Sequence, residues 1–170
     1  MDSSAHQSAS KSQSYCVIDA PFGRLGIATE MVDGSLMVSK IDYLAADTPM
    51  SAPQNALAKE CIWQCKQYFQ NPAHPFDLPL KPAGTEYQKR VWKRVQEILP
   101  GLTRAYGEVA QDIQSGARAV GSACGANPYP LIVPCHRVVA ASGIGGFMRE
   151  GKPGFYRQIK IWLLKHEADL

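Results

Sequence analysis

The sequence contains no long hydrophobic run. Its most apolar stretches, such as LIV at 131–133 and IWLL at 161–164, fall far short of the ~20 residues that cross a bilayer, and no basic segment leading into an apolar one stands at the N-terminus. A membrane partner is therefore not expected, and the cytoplasm is the expected location. Cysteines are few: the five, at 16, 61, 65, 124 and 135, form an odd and scattered set. In a chain without an export signal this excludes a disulfide framework and favours reduced thiols. A metal centre needs several Cys or His at short spacing, but His136 alone stands beside Cys135, and CIWQC leaves three residues between its thiols. No metal and no cofactor are expected. Charged residues are only 19% and there is no internal repeat, which leaves, at 45% hydrophobic content, a globular chain of one ordinary domain or two small ones.

The modest net charge of +3 hides an asymmetry. Residues 1–80 carry a net −3, residues 81–170 a net +6, and the Pro-rich NPAHPFDLPLKPAG (71–84) lies between them. A basic half joined to an acidic one by an extended crossover points to a polyanion meeting the second half; a merely solvated basic surface is the plainer alternative.

The Ser-rich residues 1–14 have almost no apolar side chains and read as a disordered tail. From Tyr15 three strand-like runs, YCVIDA, LGIATEM and LMVSKIDYL, are separated by PFG and VDGS, which suit tight hairpin turns. The segment 52–70 then spaces Leu57, Cys61, Cys65 and Phe69 on one stripe of a helix able to cover the resulting sheet. Residues 15–80 thus form a small α/β domain and residues 81–170 a mostly helical one, an α+β chain overall. In the second half Thr85 and Gln88 form a capping-box pair, with Tyr87, Val91, Val95 and Ile98 on one face before Pro100 and Gly101 end the helix. Two short helices, 106–113 and 117–127, joined through QSG, have the sequence shape of a helix-turn-helix. The second carries Ala, Gly and Ser around a single long basic side chain, Arg118. Such a surface suits phosphate contacts rather than the reading of base edges. Ala119 and Ala123 are expected to pack inside the domain.

Cys135 stands in LIVPCHRVVAASGIGGF (131–147). A nucleophilic role requires a base or cation, because a free thiol near pKa ~8.5 is only partly ionised at neutral pH. His136 is the obvious base. Neighbours on a strand point to opposite faces, so the pair can cooperate only if Pro134 opens an irregular or single-turn segment. A carboxylate should orient the imidazole, and Glu167 in WLLKHE is the candidate. A buried structural cysteine is the competing reading, and it is the one expected for Cys16, Cys61, Cys65 and Cys124.

PCHRVV at 134–139, with ARAVGSACGANPYPLIV before it, ASGIGGF and WLLKHE after it, and GTEYQKRVW, ILPG and AYGEVA upstream, resembles the O6-alkylguanine-DNA alkyltransferases, or methylated-DNA–protein-cysteine methyltransferases. The resemblance spans essentially residues 83–170; the N-terminal half matches loosely, where the family has a ribonuclease H-like sheet. It implies a single-turnover repair protein that flips O6-alkylguanine, and O4-alkylthymine, out of duplex DNA of any sequence and moves the alkyl group to Cys135. His136, through a water, takes the thiol proton and Glu167 polarises that relay. Arg118 replaces the flipped nucleotide in the stack, and Tyr106 crowds the target phosphate and protonates the leaving guanine. Ala117 and Ser122 face DNA, Asn127 ties the helix-turn-helix to the active segment, and Val138, Ser142, Gly146, Phe147 and Met148 wall the pocket. The implied protein is a monomer with no obligate protein partner. A DNA-binding protein that keeps the fold without transfer, and a cysteine hydrolase, are the alternatives; the latter lacks an evident oxyanion-hole motif. The sequence departs from the family in a short turn between Tyr106 and Arg118 and in extra residues at MREGKPGFYRQIK.

Overall fold

The computed structural model describes residues 13–146, 148 and 154–170. Residues 1–12 of the expected tail, Phe147, and 149–153 of the extra segment lie outside the described residues.

Three antiparallel strands open the chain: β1 (Gln13–Ala20), β2 (Gly23–Val32) and β3 (Ser35–Leu44), in the order β1-β2-β3. The turn residues do what the sequence predicts, with Asp33 and Gly34 at φ +48° and +81° closing the second hairpin. β1 begins two residues earlier than the tail boundary at 14 allows. The reason is polar rather than apolar: Gln13 and Ser14 pair across to Glu30 and Thr29, and Asn55 Nδ2 donates to both Ser14 Oγ and Thr29 Oγ1 at 2.8 Å.

Asn55 also sets the start of α1 (Ala56–Gln70), because its side-chain oxygen accepts from the Ala58 amide. A cap of this kind is worth about 1 kcal/mol, and it places the start later than residue 52. Cys61 and Cys65 are fully buried against the sheet as the stripe predicts. The rest of the buried face runs through Ala58, Ile62 and Tyr68, leaving Leu57 and Phe69 half-covered at its margin.

Past the Pro-rich crossover, α2 (Glu86–Gln96) starts at the Thr85–Gln88 capping box. Its buried residues Val91, Trp92 and Val95 pack toward the later helices, and Trp92 Nε1 donates to Ala123 O at 2.9 Å. A two-residue strand β4 (Arg104–Ala105) leads into α3 (Tyr106–Asp112), and four residues later comes α4 (Ala117–Gly125). A single 3-10 turn (Cys135–Arg137) runs into β5 (Val138–Val139), which pairs parallel with β4, and α5 (Phe155–Glu167) closes the described chain. The molecule is thus mixed α/β, a small sheet domain followed by a helical one.

The two halves are joined by specific contacts along β3 and α1. Ile41 N donates to Pro128 O at 3.0 Å, and Val38 of β3 donates its N–H to Pro79 O and accepts at its carbonyl from Lys81 N, both at 2.8 Å. Trp162 of α5 packs edge-on to Phe22 and Phe69 and stacks on His166. No helix among the described residues is long and apolar enough to cross a membrane.

Candidate active site

The chain reaches Pro134 through a turn, with Leu131 at φ +77°, and then makes one 3-10 turn at Cys135–Arg137. Within such a turn adjacent side chains do not alternate between two faces, so Cys135 and His136 both point inward: they are 3% and 0% exposed. Asn127, itself buried, fixes this segment against the end of α4. Its Nδ2 donates to Val133 O at 2.9 Å, and its Oδ1 accepts from Tyr129 N at 2.8 Å.

His136 meets Glu167 of α5, with Nε2 to Oε1 at 2.8 Å. The carboxylate also takes two bonds from Arg137, Nε to Oε2 at 2.9 Å and NH2 to Oε1 at 2.8 Å, and one from the Tyr68 hydroxyl to Oε1 at 2.7 Å. Arg137 NH1 donates to Ile98 O at 2.7 Å, which anchors the guanidinium to the end of α2. Burial opposes ionisation of Glu167, but the bonds from His136 and Arg137 outweigh it and hold the carboxyl far below its ordinary range. A permanent carboxylate at Oε1 requires His136 to carry its proton on Nε2. Burial, acting against Glu167, lowers the His136 pKa and keeps the ring neutral. The lone pair is then on Nδ1, which is buried and makes no hydrogen bond among the described residues. A neutral imidazole with one nitrogen pinned and the other unpartnered is a base waiting for a proton.

The acceptor side has its own chemistry. The Cys124 and Cys135 thiols are neighbours, and the proton they compete for draws Cys124 down and pushes Cys135 up. The Cys135 thiol is pushed up first by Cys124 and then by burial, while Asn127 and Lys160 pull it back. Lys160 is fully buried on α5, its Nζ donating to Val138 O at 2.7 Å and Gly146 O at 2.9 Å and lying 5.6 Å from the centre of the Tyr106 ring. Burial lowers its pKa to about 8, so it remains largely a cation at neutral pH beside the two sulfurs. The sulfurs thus have a nearby positive charge, and a thiolate formed there is not isolated in an apolar medium.

Tyr106, at the first position of α3, closes one side. Its hydroxyl donates to Gly146 O at 3.2 Å, and its phenol is pushed up by burial and then by the nearby sulfurs of Cys124 and Cys135, so it stays protonated. A side chain on Gly145 (φ +76°) would meet Ala140 N at 3.1 Å and the Tyr106 ring at 3.2 Å, so only glycine lets this loop lie against the tyrosine. Val138 is fully buried and Met148 half-buried beside the core, whereas Ser142 is exposed in the turn after Ala140.

α4 buries Val120, Ala123 and Cys124 and leaves Ala117, Arg118, Ala119 and Ser122 exposed. Ala123 packs inside as expected; Ala119 does not, because the i, i+3, i+4 stripe through 120 places it on the outer face beside Arg118. The structure therefore separates the named residues into an inner group, Cys135, His136, Glu167, Asn127, Val138 and Tyr106, and an outer group on α4.

Four further residues that meet this inner group escaped sequence reasoning: Arg137, Lys160, Tyr68 and Cys124. Lys160 left a readable signal, since it lies seven positions before Glu167 and shares with it and Leu163 the apolar face of the last helix, where an unpaired charge would be costly. Cys124 and Tyr68 left none beyond their apolar stripes. A cavity of about 420 Å³, lined among others by Tyr68, Phe76, Ile98, Leu131, Pro134 and Arg137, reaches the back of this network but not Cys135. Among the described residues no group of three or more His, Cys, Asp or Glu is placed to hold a metal ion.

Comparison with known proteins fits this geometry. The model of the 6-O-methylguanine DNA methyltransferase DNA-binding domain matches residues 86–169. The methylated-DNA–protein-cysteine methyltransferase of Mycobacterium leprae (strain TN) is 38% identical over 136 residues, 74% of this chain and 78% of that one. The chain belongs to the methylated-DNA–protein-cysteine methyltransferase family. Within the family, the crystal structure of the Mycobacterium tuberculosis O6-methylguanine methyltransferase matches with a TM-score of 0.74 at 34% identity, covering 92% of this chain and 93% of that chain. The Mycobacterium tuberculosis OGT in complex with DNA matches with a TM-score of 0.71 at 34% identity, covering 91% and 93%. These family members cover nearly the whole fold, sheet domain included.

Proposed function

We propose that this protein repairs alkylated DNA by moving the alkyl group from guanine O6 to its own Cys135. The observation that carries the reading is the buried turn holding Cys135 beside a neutral His136 whose Nε2 is pinned by Glu167 and whose Nδ1 is bare. The thiol proton passes to Nδ1 through a water, and the thiolate attacks the alkyl carbon. The carbon–O6 bond breaks, its electron pair stays with the guanine, and the protonated Tyr106 supplies the proton that base takes up. The product is a thioether with no good leaving group, so each molecule acts once. O4-alkylthymine presents the same displacement chemistry. Val138, Ser142, Gly146 and Met148 form the wall around the alkyl group; Phe147, expected there from the sequence, lies outside the described residues.

In this reading residues 81–170 are the DNA-binding and active-site domain, α3 and α4 form a helix-turn-helix, and residues 15–80 form a ribonuclease H-like domain. Double-stranded DNA lies along the exposed face of α4. Ala117 and Ser122 allow close approach, and Arg118 fills the gap left by the flipped nucleotide, a step that costs a few kcal/mol and least for a damaged base. Recognition rests on phosphates and not on sequence, as lesion repair requires. The protein acts as a cytoplasmic monomer without a cofactor.

The decisive experiment is mass spectrometry after incubation with an O6-methylguanine oligonucleotide. One methyl group per molecule, on the peptide holding Cys135, is the expected result. Binding without modification would leave a lesion-binding protein only. Arg118→Ala is expected to slow repair of duplex DNA about tenfold or more while sparing reaction with free O6-alkylguanine base; equal losses on both substrates would remove Arg118 from the flipping step.

A further inference from the structure

Glu167 is held by both halves of the molecule. From the helical half come His136 and Arg137; from the sheet half comes Tyr68, ninety-nine positions away in sequence, whose hydroxyl donates to Oε1 at 2.7 Å. Oε1, the oxygen that binds His136, thus accepts three hydrogen bonds, while Oε2 accepts one from Arg137. Packing alone does not call for that hydroxyl. The Tyr68 ring is already enclosed by Phe69, Phe76 and His166, at centroid distances of 6.0, 5.6 and 5.3 Å, and phenylalanine would make the same contacts.

We propose that Tyr68 is a positioning residue of the alkyl transfer: its hydroxyl shares the Glu167 oxygen with His136 and so sets how strongly the carboxylate draws on the imidazole that serves as base. The inference rests on the alkyl-transfer reading and gives the sheet domain a part in its chemistry. The charge on Oε1 is divided among its donors. With Tyr68 in place His136 receives a fraction of the carboxylate field, stays neutral, and offers Nδ1; without it the imidazole takes a larger share and becomes more basic. The other groups facing the relay are Arg137 on the same turn, Lys160 on α5, and Tyr43 on β3, with His166 bonded through Nε2 to the Tyr68 carbonyl at 2.7 Å. Arg137 and Lys160 oppose protonation of His136, and Glu167 is the group that favours it. Tyr68 therefore acts on the one interaction that could protonate the base prematurely.

The test is the single-turnover rate of methyl transfer from an O6-methylguanine duplex, followed against pH. It is run for the wild-type protein, for Tyr68→Phe, and for protein carrying a difluorotyrosine at position 68, a stronger donor of the same shape. Transfer requires neutral His136, so the acid limb of the profile reports its basicity. Tyr68→Phe is expected to move that limb up by about half a pH unit, and the fluorinated side chain to move it down, both with unchanged affinity for the DNA. A limb that stays in place in Tyr68→Phe, whatever the rate, makes Tyr68 a packing residue and overturns the inference. If Tyr68→Phe does not fold, the fluorinated protein decides by the same criterion. Wild-type protein that leaves Cys135 unmodified would overturn the alkyl-transfer reading itself, and this inference with it.

Discussion

Two pairs of buried cysteines sit in the two halves of this molecule. Cys61 and Cys65 lie one turn apart on α1, both fully buried beneath the sheet; Cys124 and Cys135 meet between the end of α4 and the 3-10 turn. In both pairs one thiol is pushed well up by the other and by burial. What differs is the third party. Among the described residues Cys65 faces the sulfurs of Cys61 and Cys16 and the protonated Tyr43 phenol, whereas Cys135 faces the Asn127 amide and the Lys160 cation and is followed in sequence by a base pinned at one nitrogen. Burial and a thiol neighbour make an inert cysteine; a cation and an oriented imidazole make a candidate nucleophile.

That comparison can be broken most directly at the sulfurs. Cys135→Ala should abolish methyl uptake, whereas Cys61→Ala and Cys65→Ala should each still take up one methyl per molecule, read by intact-protein mass spectrometry. Uptake that survives Cys135→Ala would erase the distinction between the pairs. Removing the base should cost less: His136→Gln is expected to slow single-turnover transfer by about a hundredfold, within the usual range for a general base. The cation should count for less again. Lys160→Met is expected to slow transfer about tenfold at neutral pH. Because Lys160 loses its proton near pH 8, the two rates should converge above that pH; a constant ratio would mean that Lys160 acts only by holding the Val138 and Gly146 carbonyls.

The smallest effect concerns stability. His136 has its pKa lowered in the fold, so below about 6.5 the unfolded chain binds a proton that the folded protein resists. Stability should therefore fall as the pH drops through that region, because burial resists the proton that the unfolded imidazole takes up. His136→Gln should remove that decline from the urea-denaturation midpoints. Glu167 works in the same direction but much lower: its carboxyl is held down by His136 and Arg137, so its contribution persists through this window and is lost only in strong acid.

Most of the secondary structure was legible. Alternation and turn residues located β1 to β3, the Thr85–Gln88 box located the start of α2 to the residue although the helix ends at Gln96 and not at Pro100, and Pro134 marked where the turn that cooperation of Cys135 and His136 requires could form. The boundary errors share one cause. α1 starts at Ala56, capped by Asn55, instead of 52, and β1 at Gln13 instead of 15, because polar side chains, Asn55, Ser14 and Thr29, bond across elements that periodicity treats separately. Ala119 was assigned inward because small residues carry too little hydrophobic signal to define a face; Val120 defines it.

The sequence by itself determined the elements, the turn at Pro134, the acidic and basic halves, and a thiol followed by an imidazole near an end that supplies a carboxylate. Local spacing suffices for these, since each depends on residues a few positions apart. That Glu167 is shared by His136, Arg137 and Tyr68, that Lys160 lies near enough to act on the sulfurs, and that Cys124 is the neighbour of Cys135 follow from the packed fold alone. Buried charges are tolerated only where partners converge on them, and here those partners come from α1, the 3-10 turn and α5, up to ninety-nine positions apart. One-dimensional patterning reports which face of an element is buried; it does not report what that face meets.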